Sequence, residues 1–66
     1  MNQSEIIEKL QEIIKTCDTK SKPAICKKIA TPNGLTWVQN RVINIVTKDD
    51  IRIESALAMI ESELNE

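Results

Sequence analysis

Side chains that can make paired hydrogen bonds are concentrated in one short stretch of the chain. The stretch runs from position 39 to position 44 and contains Gln39, Asn40, Arg41 and Asn44. Amide and guanidinium groups can make two hydrogen bonds at once to the edge of a base in the major groove of DNA. The types and spacing of these four residues therefore predict contacts to the bases of double-stranded DNA.

The middle of the chain is strongly basic, although the whole chain has a formal net charge of −1. Residues 13–48 contain seven lysines and arginines against one aspartate, and no acidic residue lies between Cys26 and Asp49. Residues 49–66, in contrast, contain six acidic residues and one arginine. A surface that faces phosphates needs such a concentration of positive charge. The residues predicted to contact phosphates are Lys20, Lys22, Lys27, Lys28, Thr36 and Lys48.

The residue types that catalysis needs are scarce. The chain has no histidine and one glycine, so it has neither a Ser/His or Cys/His pair nor a glycine-rich phosphate loop. Its two cysteines lack the Cys-x-x-Cys spacing of metal and redox motifs. Carboxylates at helical spacing, such as Glu5, Glu8 and Glu12, are typical of a solvated helix face. We therefore expect no enzyme activity, no catalytic residue, no metal, no cofactor and no small-molecule ligand.

The cysteine count and the hydropathy predict where the protein resides. Small domains that depend on disulfides usually carry four or more cysteines, which favours two free thiols over a Cys17–Cys26 bridge. No segment approaches the roughly 18 consecutive apolar residues of a membrane span. The acidic Glu5 lies where a signal peptide would be basic. These features predict a soluble cytoplasmic protein that does not contact a membrane.

Hydrophobic periodicity predicts four helices in a single all-α domain over residues 1–66. The predicted helices cover about 4–17, 22–30, 36–47 and 51–64. The clearest apolar stripe is that of the third helix, formed by Val38, Val42, Ile45 and Val46. The apolar residues are almost all aliphatic, with Trp37 the one aromatic residue, and such a composition suits short packed helices.

Capping residues and a turn set the predicted helix boundaries. The predicted N-caps are Ser4, Ser21, Thr36 in a capping box with Gln39, and either Asp49 or Asp50. The sequence Pro32-Asn33-Gly34 predicts a tight turn between the second and third helices. Gly34 is expected to have a positive φ in that turn, because an Asn-Gly pair after proline favours such a conformation.

Two short motifs resemble the helix-turn-helix of lambda-repressor/Cro-like DNA-binding proteins. They are Lys27-Lys28-Ile29-Ala30 and Gly34-Leu35-Thr36, and they precede the apolar stripe of the third helix. In that family an alanine and a turn glycine allow two helices to approach closely, and a threonine or serine opens the recognition helix. Ala30, Gly34 and Thr36 occupy comparable places here. The resemblance covers residues 21–64.

The chain departs from the family pattern inside the third helix. Counted from Ala30, the buried valine of the family falls on Asn40, so Val42 must take that role. The turn is then expected to be about two residues longer than the usual one. With that adjustment, the resemblance implies a small four-helix, lambda-repressor-like domain with helix 36–47 as its recognition helix.

The resemblance and the polar stretch together imply a sequence-specific DNA-binding protein. We expect a small transcriptional regulator from a bacterium, phage or plasmid that binds paired half-sites of double-stranded DNA as a homodimer. A second hypothesis is a protein-binding helical module, such as an anti-repressor or an inhibitor. Its working surface would be the acidic C-terminal helix. Salt-dependent binding to duplex DNA separates the two hypotheses.

Overall fold

The computed structural model describes residues 2–17 and 23–66, and over these residues the protein is helical with no strand. The four helices are α1 (Gln3–Ile14), α2 (Ala24–Ile29), α3 (Gly34–Asp49) and α4 (Ile53–Leu64). The prediction of a small all-α domain with four helices is confirmed. In the described part of the chain, no helix is both long and apolar enough to cross a membrane.

The core is aliphatic and is built from apolar stripes on α1, α3 and α4. Its buried members are Ile6, Leu10, Val38, Val42, Ile45, Ile53, Ala56 and Ile60. Residues three or four apart share one face of a helix, so each of these helices buries a single stripe. The predicted stripe of α3 is confirmed, with Val46 partly buried at its edge. α3 packs against each of the other three helices, and α2 also packs against α4.

α1 begins and ends earlier than the sequence indicated. Asn2 is its N-cap, because the Asn2 side-chain oxygen accepts a hydrogen bond from the backbone N–H of Glu5 at 2.9 Å. The predicted cap, Ser4, is wrong, since Ser4 lies inside the first turn. Asparagine caps at least as well as serine. The helix ends at Ile14, and the Thr16 hydroxyl donates to the carbonyl of Ile13 at 2.7 Å just after that end.

α2 is short, and its N-terminal cap comes from another helix. The predicted cap Ser21 lies outside the described residues, and Pro23 at the N-cap position offers no side-chain hydrogen bond. The Glu61 carboxylate of α4 accepts hydrogen bonds from the backbone N–H groups of Ala24 at 2.7 Å and Ile25 at 2.8 Å. A six-residue helix is marginal on its own, so this contact from α4 stabilises α2.

The turn before α3 has its positive φ one residue earlier than predicted. Asn33 has a φ of 63°, while Gly34 is already the first residue of α3, so the prediction for Gly34 is wrong. A Cβ atom on Gly34 would lie 2.5 Å from the Thr31 hydroxyl oxygen and 2.8 Å from the carbonyl carbon of Lys28. The glycine is therefore required for close packing against the end of α2. Asparagine tolerates the left-handed conformation that the turn needs.

α3 is longer than predicted at both ends. Because it starts at Gly34, Thr36 lies inside the first turn, and the predicted capping box with Gln39 is wrong. At its other end the helix continues through Asp49, and Asp50 closes it with a φ of 52°. Neither aspartate caps α4. The N-cap of α4 is Arg52, which makes no side-chain capping hydrogen bond.

The two cysteines form a disulfide, so the prediction of two free thiols is wrong. The Cα atoms of Cys17 and Cys26 are 5.8 Å apart, a separation that is usual for a bridge. The number of cysteines in a sequence does not reveal that folding brings these two positions together. The bridge links the segment just after α1 to the middle of α2.

Candidate nucleic-acid interface

The face of α3 opposite the core is polar and exposed. Val38, Val42 and Ile45 are turned inward. The exposed polar residues of this helix, from its first turn to its last, include Thr36, Asn40, Asn44, Thr47 and Lys48. Asn40 and Asn44 are four positions apart, so their side chains lie on the same side of the helix. The structure therefore brings two of the predicted base-contacting amides together in solvent.

Gln39 and Arg41 do not lie side by side on that face. Both are half-buried. Two residues that are two positions apart in an α-helix differ by about 200° in direction around the axis. Gln39 and Arg41 therefore lie on opposite flanks of α3, and the four predicted base contacts do not form one continuous group.

Arg41 is bound to α4. Its Nη2 atom donates a hydrogen bond to the Glu63 carboxylate at 2.5 Å, and the two side chains are 37% and 48% exposed. The Arg41 Nε atom is buried and has no hydrogen-bond partner among the described residues. In the free protein this guanidinium is therefore engaged by Glu63 through one of its two amino groups. Sequence patterns missed the pair because its partners are 22 positions apart.

Lys28 and Trp37 connect α2 to α3. The Lys28 ammonium lies 4.9 Å from the centroid of the Trp37 ring, within the range of a cation–π interaction. Both side chains are half-buried, whereas the adjacent Lys27 is exposed. Positive charge is therefore present where the two helices meet. The predicted phosphate contacts Lys20 and Lys22 lie outside the described residues.

Two carboxylates of α4 are bound by groups on other helices of the same domain. The hydrogen bonds that the backbone N–H groups of Ile25 and Ala24 donate to Glu61 hold the pKa of that carboxyl below its ordinary value. The Asn65 amide adds a hydrogen bond to Glu61 at 3.0 Å, and Glu63 is bound to α3. The acidic residues of this region that remain exposed are Asp49, Asp50, Glu54 and Glu66, together with Glu63. The C-terminal helix is therefore not a uniformly available acidic surface.

A groove of about 590 Å³ lies beside the start of α4. Its lining comes from α1, the end of α3, the α3–α4 connection and the first residues of α4. It combines apolar residues with charges of both signs: Lys9, Glu12, Ile13, Val46, Asp50, Ile51, Arg52, Ile53 and Glu54. This lining contains three acidic and two basic residues, so positive charge is not concentrated in the groove. Within residues 2–17 and 23–66, no group of three or more His, Cys, Asp or Glu residues could hold a metal ion.

No protein-family model, curated protein or solved structure matches this chain. Its function is therefore inferred from the geometry and charge of its own residues. The similarity of residues 21–64 to lambda-repressor/Cro-like proteins stays a prediction.

Proposed function

We propose that the domain binds double-stranded DNA through the outer face of α3, with α2 and α3 as a helix-turn-helix. The observation that carries this proposal is the pair Asn40 and Asn44, exposed one turn apart on a helix that has no acidic residue before Asp49. The amide of an asparagine can bond N6 and N7 of an adenine at the same time. Two such amides on one side of a helix can reach neighbouring base pairs.

The connection between α2 and α3 supports the proposal. Residues 30–33 join the two helices, and a helix-turn-helix uses a turn of about three to four residues. α2 packs against α3, and Gly34 permits the close approach that the family resemblance implies. The turn is not longer than the usual one, so that expectation from the sequence is wrong. Val42 is buried and Asn40 is exposed, so α3 keeps the departure from the family register that the sequence indicated.

Positive charge at the ends of α2 and α3 is suited to phosphate binding. Lys27 and Lys28 lie in the last turn of α2, and Lys48 lies in the last turn of α3. We assign phosphate contacts to these three residues and to Thr36, which is exposed at the start of α3. Such contacts fix the position of a protein on the duplex and carry no sequence information.

The set of base-contacting residues is smaller than the sequence indicated. Arg41 is left out of the proposed set, because one of its two amino groups is bound to Glu63 in the free protein and its Nε atom is buried. Gln39 lies half-buried on the opposite flank of α3 and is at most a peripheral contact. Asn40 and Asn44 are therefore the residues to which we assign base recognition.

A domain of this size reads few base pairs. Useful sequence specificity then requires two copies on paired half-sites. We accordingly propose a homodimeric transcriptional regulator, in which each copy presents α3 to one half-site of double-stranded DNA.

Alanine substitution of the two asparagines tests the proposal. A duplex selected from a random library serves as the specific site, and fluorescence anisotropy gives the Kd at several salt concentrations. Asn40→Ala and Asn44→Ala should each cost about 1–3 kcal/mol on that site, with little change on random duplex. Lys27→Ala should weaken binding to both duplexes alike and should lower the slope of log affinity against log salt by about one.

Gln11→Ala is the matched control, because it removes an exposed amide from α1, which lies outside the proposed interface. It should bind both duplexes as the wild type does, and circular dichroism verifies that every variant is folded. The proposal is rejected if the wild type binds no duplex at low salt. It is also rejected if the two asparagine variants retain wild-type affinity and preference.

The groove beside α4 favours a protein-binding module as the second candidate function. Isoleucines and a valine line it among charges of both signs, a combination that suits a segment of another protein. Since Glu61 and Glu63 are engaged inside the domain, Glu54 is the acidic residue of α4 that lines this surface. This function would be favoured over DNA binding by two results together. The wild type would bind a purified protein partner but no duplex DNA, and Glu54→Lys would abolish binding to that partner.

A further inference from the structure

The Cys17–Cys26 disulfide joins α2 to the segment just after α1, and these two helices share little other contact. α1 packs mainly against α3, whereas α2 packs against α3 and α4. Within the described ranges, no comparable packing joins α1 directly to α2. Apart from the chain itself, the bridge is therefore the main link between the end of α1 and α2.

α2 depends on a small number of anchors because it is short. It has six residues, whereas an isolated helix needs about 12–15 to be even marginally stable. Cys26 is its one buried residue, with 5% of its surface exposed. Its other anchors include the Glu61 cap, the partly buried Ile25 and Ile29, and the contact of Lys28 with Trp37.

The main core does not include the disulfide. Every fully buried residue of the core cluster belongs to α1, α3 or α4. Breaking the bridge therefore removes the covalent link at the centre of α2 and leaves the packing of the other three helices in place. Regions with few buried contacts open locally at a lower free energy than the core does.

We propose that the Cys17–Cys26 disulfide is a redox switch that orders α2. In the oxidised protein α2 is folded, and in the reduced protein it unfolds locally while α1, α3 and α4 remain folded. The switch does not require that the domain bind DNA. If the DNA-binding proposal also holds, the reduced form binds duplex DNA more weakly, because Lys27 and Lys28 no longer lie beside α3.

The reductant is a dithiol that acts by thiol–disulfide exchange. Its thiolate attacks the sulfur of Cys17, because Cys17 is half-buried and Cys26 is buried. The disulfide bond breaks, Cys26 leaves as a thiolate and takes up a proton, and Cys17 is held in a mixed disulfide. The second thiol of the reductant then displaces Cys17, so the reductant leaves as a cyclic disulfide and the protein gains two electrons and two protons.

Hydrogen exchange followed by mass spectrometry tests the switch on the whole chain. The exchange rates of oxidised protein are compared with those of protein reduced by dithiothreitol. Peptides that cover 24–30 should exchange at least about ten-fold faster after reduction, whereas peptides within 6–14, 38–46 and 53–61 should change by less than about two-fold. The variant Cys17→Ser/Cys26→Ser should match the reduced wild type and should not respond to dithiothreitol.

Two results would overturn the switch. One is equal protection of α2 in the oxidised and reduced proteins. The other is loss of protection in all four helices together, since the bridge would then stabilise the whole domain rather than α2. If the double serine variant does not fold, the reduced wild type still decides between these outcomes. Because this measurement uses no DNA, it is independent of the result for duplex binding.

Discussion

Removal of the Glu61 carboxylate should destabilise the domain through α2 rather than through α4. Glu61 lies on α4, but its two oxygens accept the backbone N–H groups of Ala24 and Ile25 at 2.7 and 2.8 Å. Pro23 provides no alternative cap. In Glu61→Ala both N–H groups lose their partner, and the first turn of α2 is left to solvent.

The size of the effect follows from the cost of losing a helix N-cap. Such a loss typically destabilises a protein by about 0.5–2 kcal/mol. Because Glu61 satisfies two donors of a helix with no other cap, we expect the upper half of that range, about 1–2 kcal/mol. For a domain of this length the melting temperature should fall by roughly 5–15 °C. Glu61→Gln keeps one acceptor oxygen without the charge and should lie between Glu61→Ala and the wild type.

The pH dependence of this effect has a definite sign. The folded-state pKa of Glu61 is lowered from 4.5, because the N–H groups of α2 stabilise the charged form. Its contribution is therefore present above pH 4.5 and is lost as the pH falls through the folded-state pKa. The difference in stability between the wild type and Glu61→Ala should shrink as the solution is acidified.

Urea denaturation followed by circular dichroism measures these differences, with the disulfide intact in every sample. Glu8→Ala is the matched control, because Glu8 is an exposed carboxylate on α1, and it should change stability by less than about 0.5 kcal/mol. If Glu61→Ala is as stable as Glu8→Ala at neutral pH, the hydrogen bonds from α2 to Glu61 do not contribute to the free energy of unfolding, and the prediction is wrong.

The remaining predictions concern the turn and the ion pair. Gly34→Ala should cost about 1–3 kcal/mol, although alanine is the better helix former, because its Cβ would overlap the Lys28 backbone; stability at or above that of the wild type in urea would show that the turn can move away from α2. Asn33→Ala should cost about 1–2 kcal/mol while Asn33→Gly costs less, since φ is 63° at that position; equal unfolding midpoints for the two variants would contradict this. Glu63→Ala should cost less than about 1 kcal/mol, and less still at high salt, because its pair with Arg41 is partly exposed; a larger loss in the same titration would show that the pair is a structural anchor.

Local periodicity in the sequence determined the helices and the side of each that is buried. The spacing of Val38, Val42 and Ile45 predicts the inward face of α3, and the exposure of Asn40 and Asn44 follows from it. The break between the second and third helices was equally visible in the sequence. Each of these features depends on residues within one or two turns of one another, so the order of the amino acids is enough to reveal it.

The tertiary structure alone decided which distant side chains meet. Glu61 caps α2 across 37 positions, and Arg41 reaches Glu63 across 22. The order of residues shows neither pair, because both depend on how α4 packs against α2 and α3. The same holds for the Cys17–Cys26 bridge and for the need for glycine at position 34. Both depend on which segments approach each other in the fold, and local sequence patterns do not show this. The separation of Gln39 and Arg41, in contrast, follows from the helical repeat alone, and the tertiary structure adds only that Arg41 is bound to Glu63.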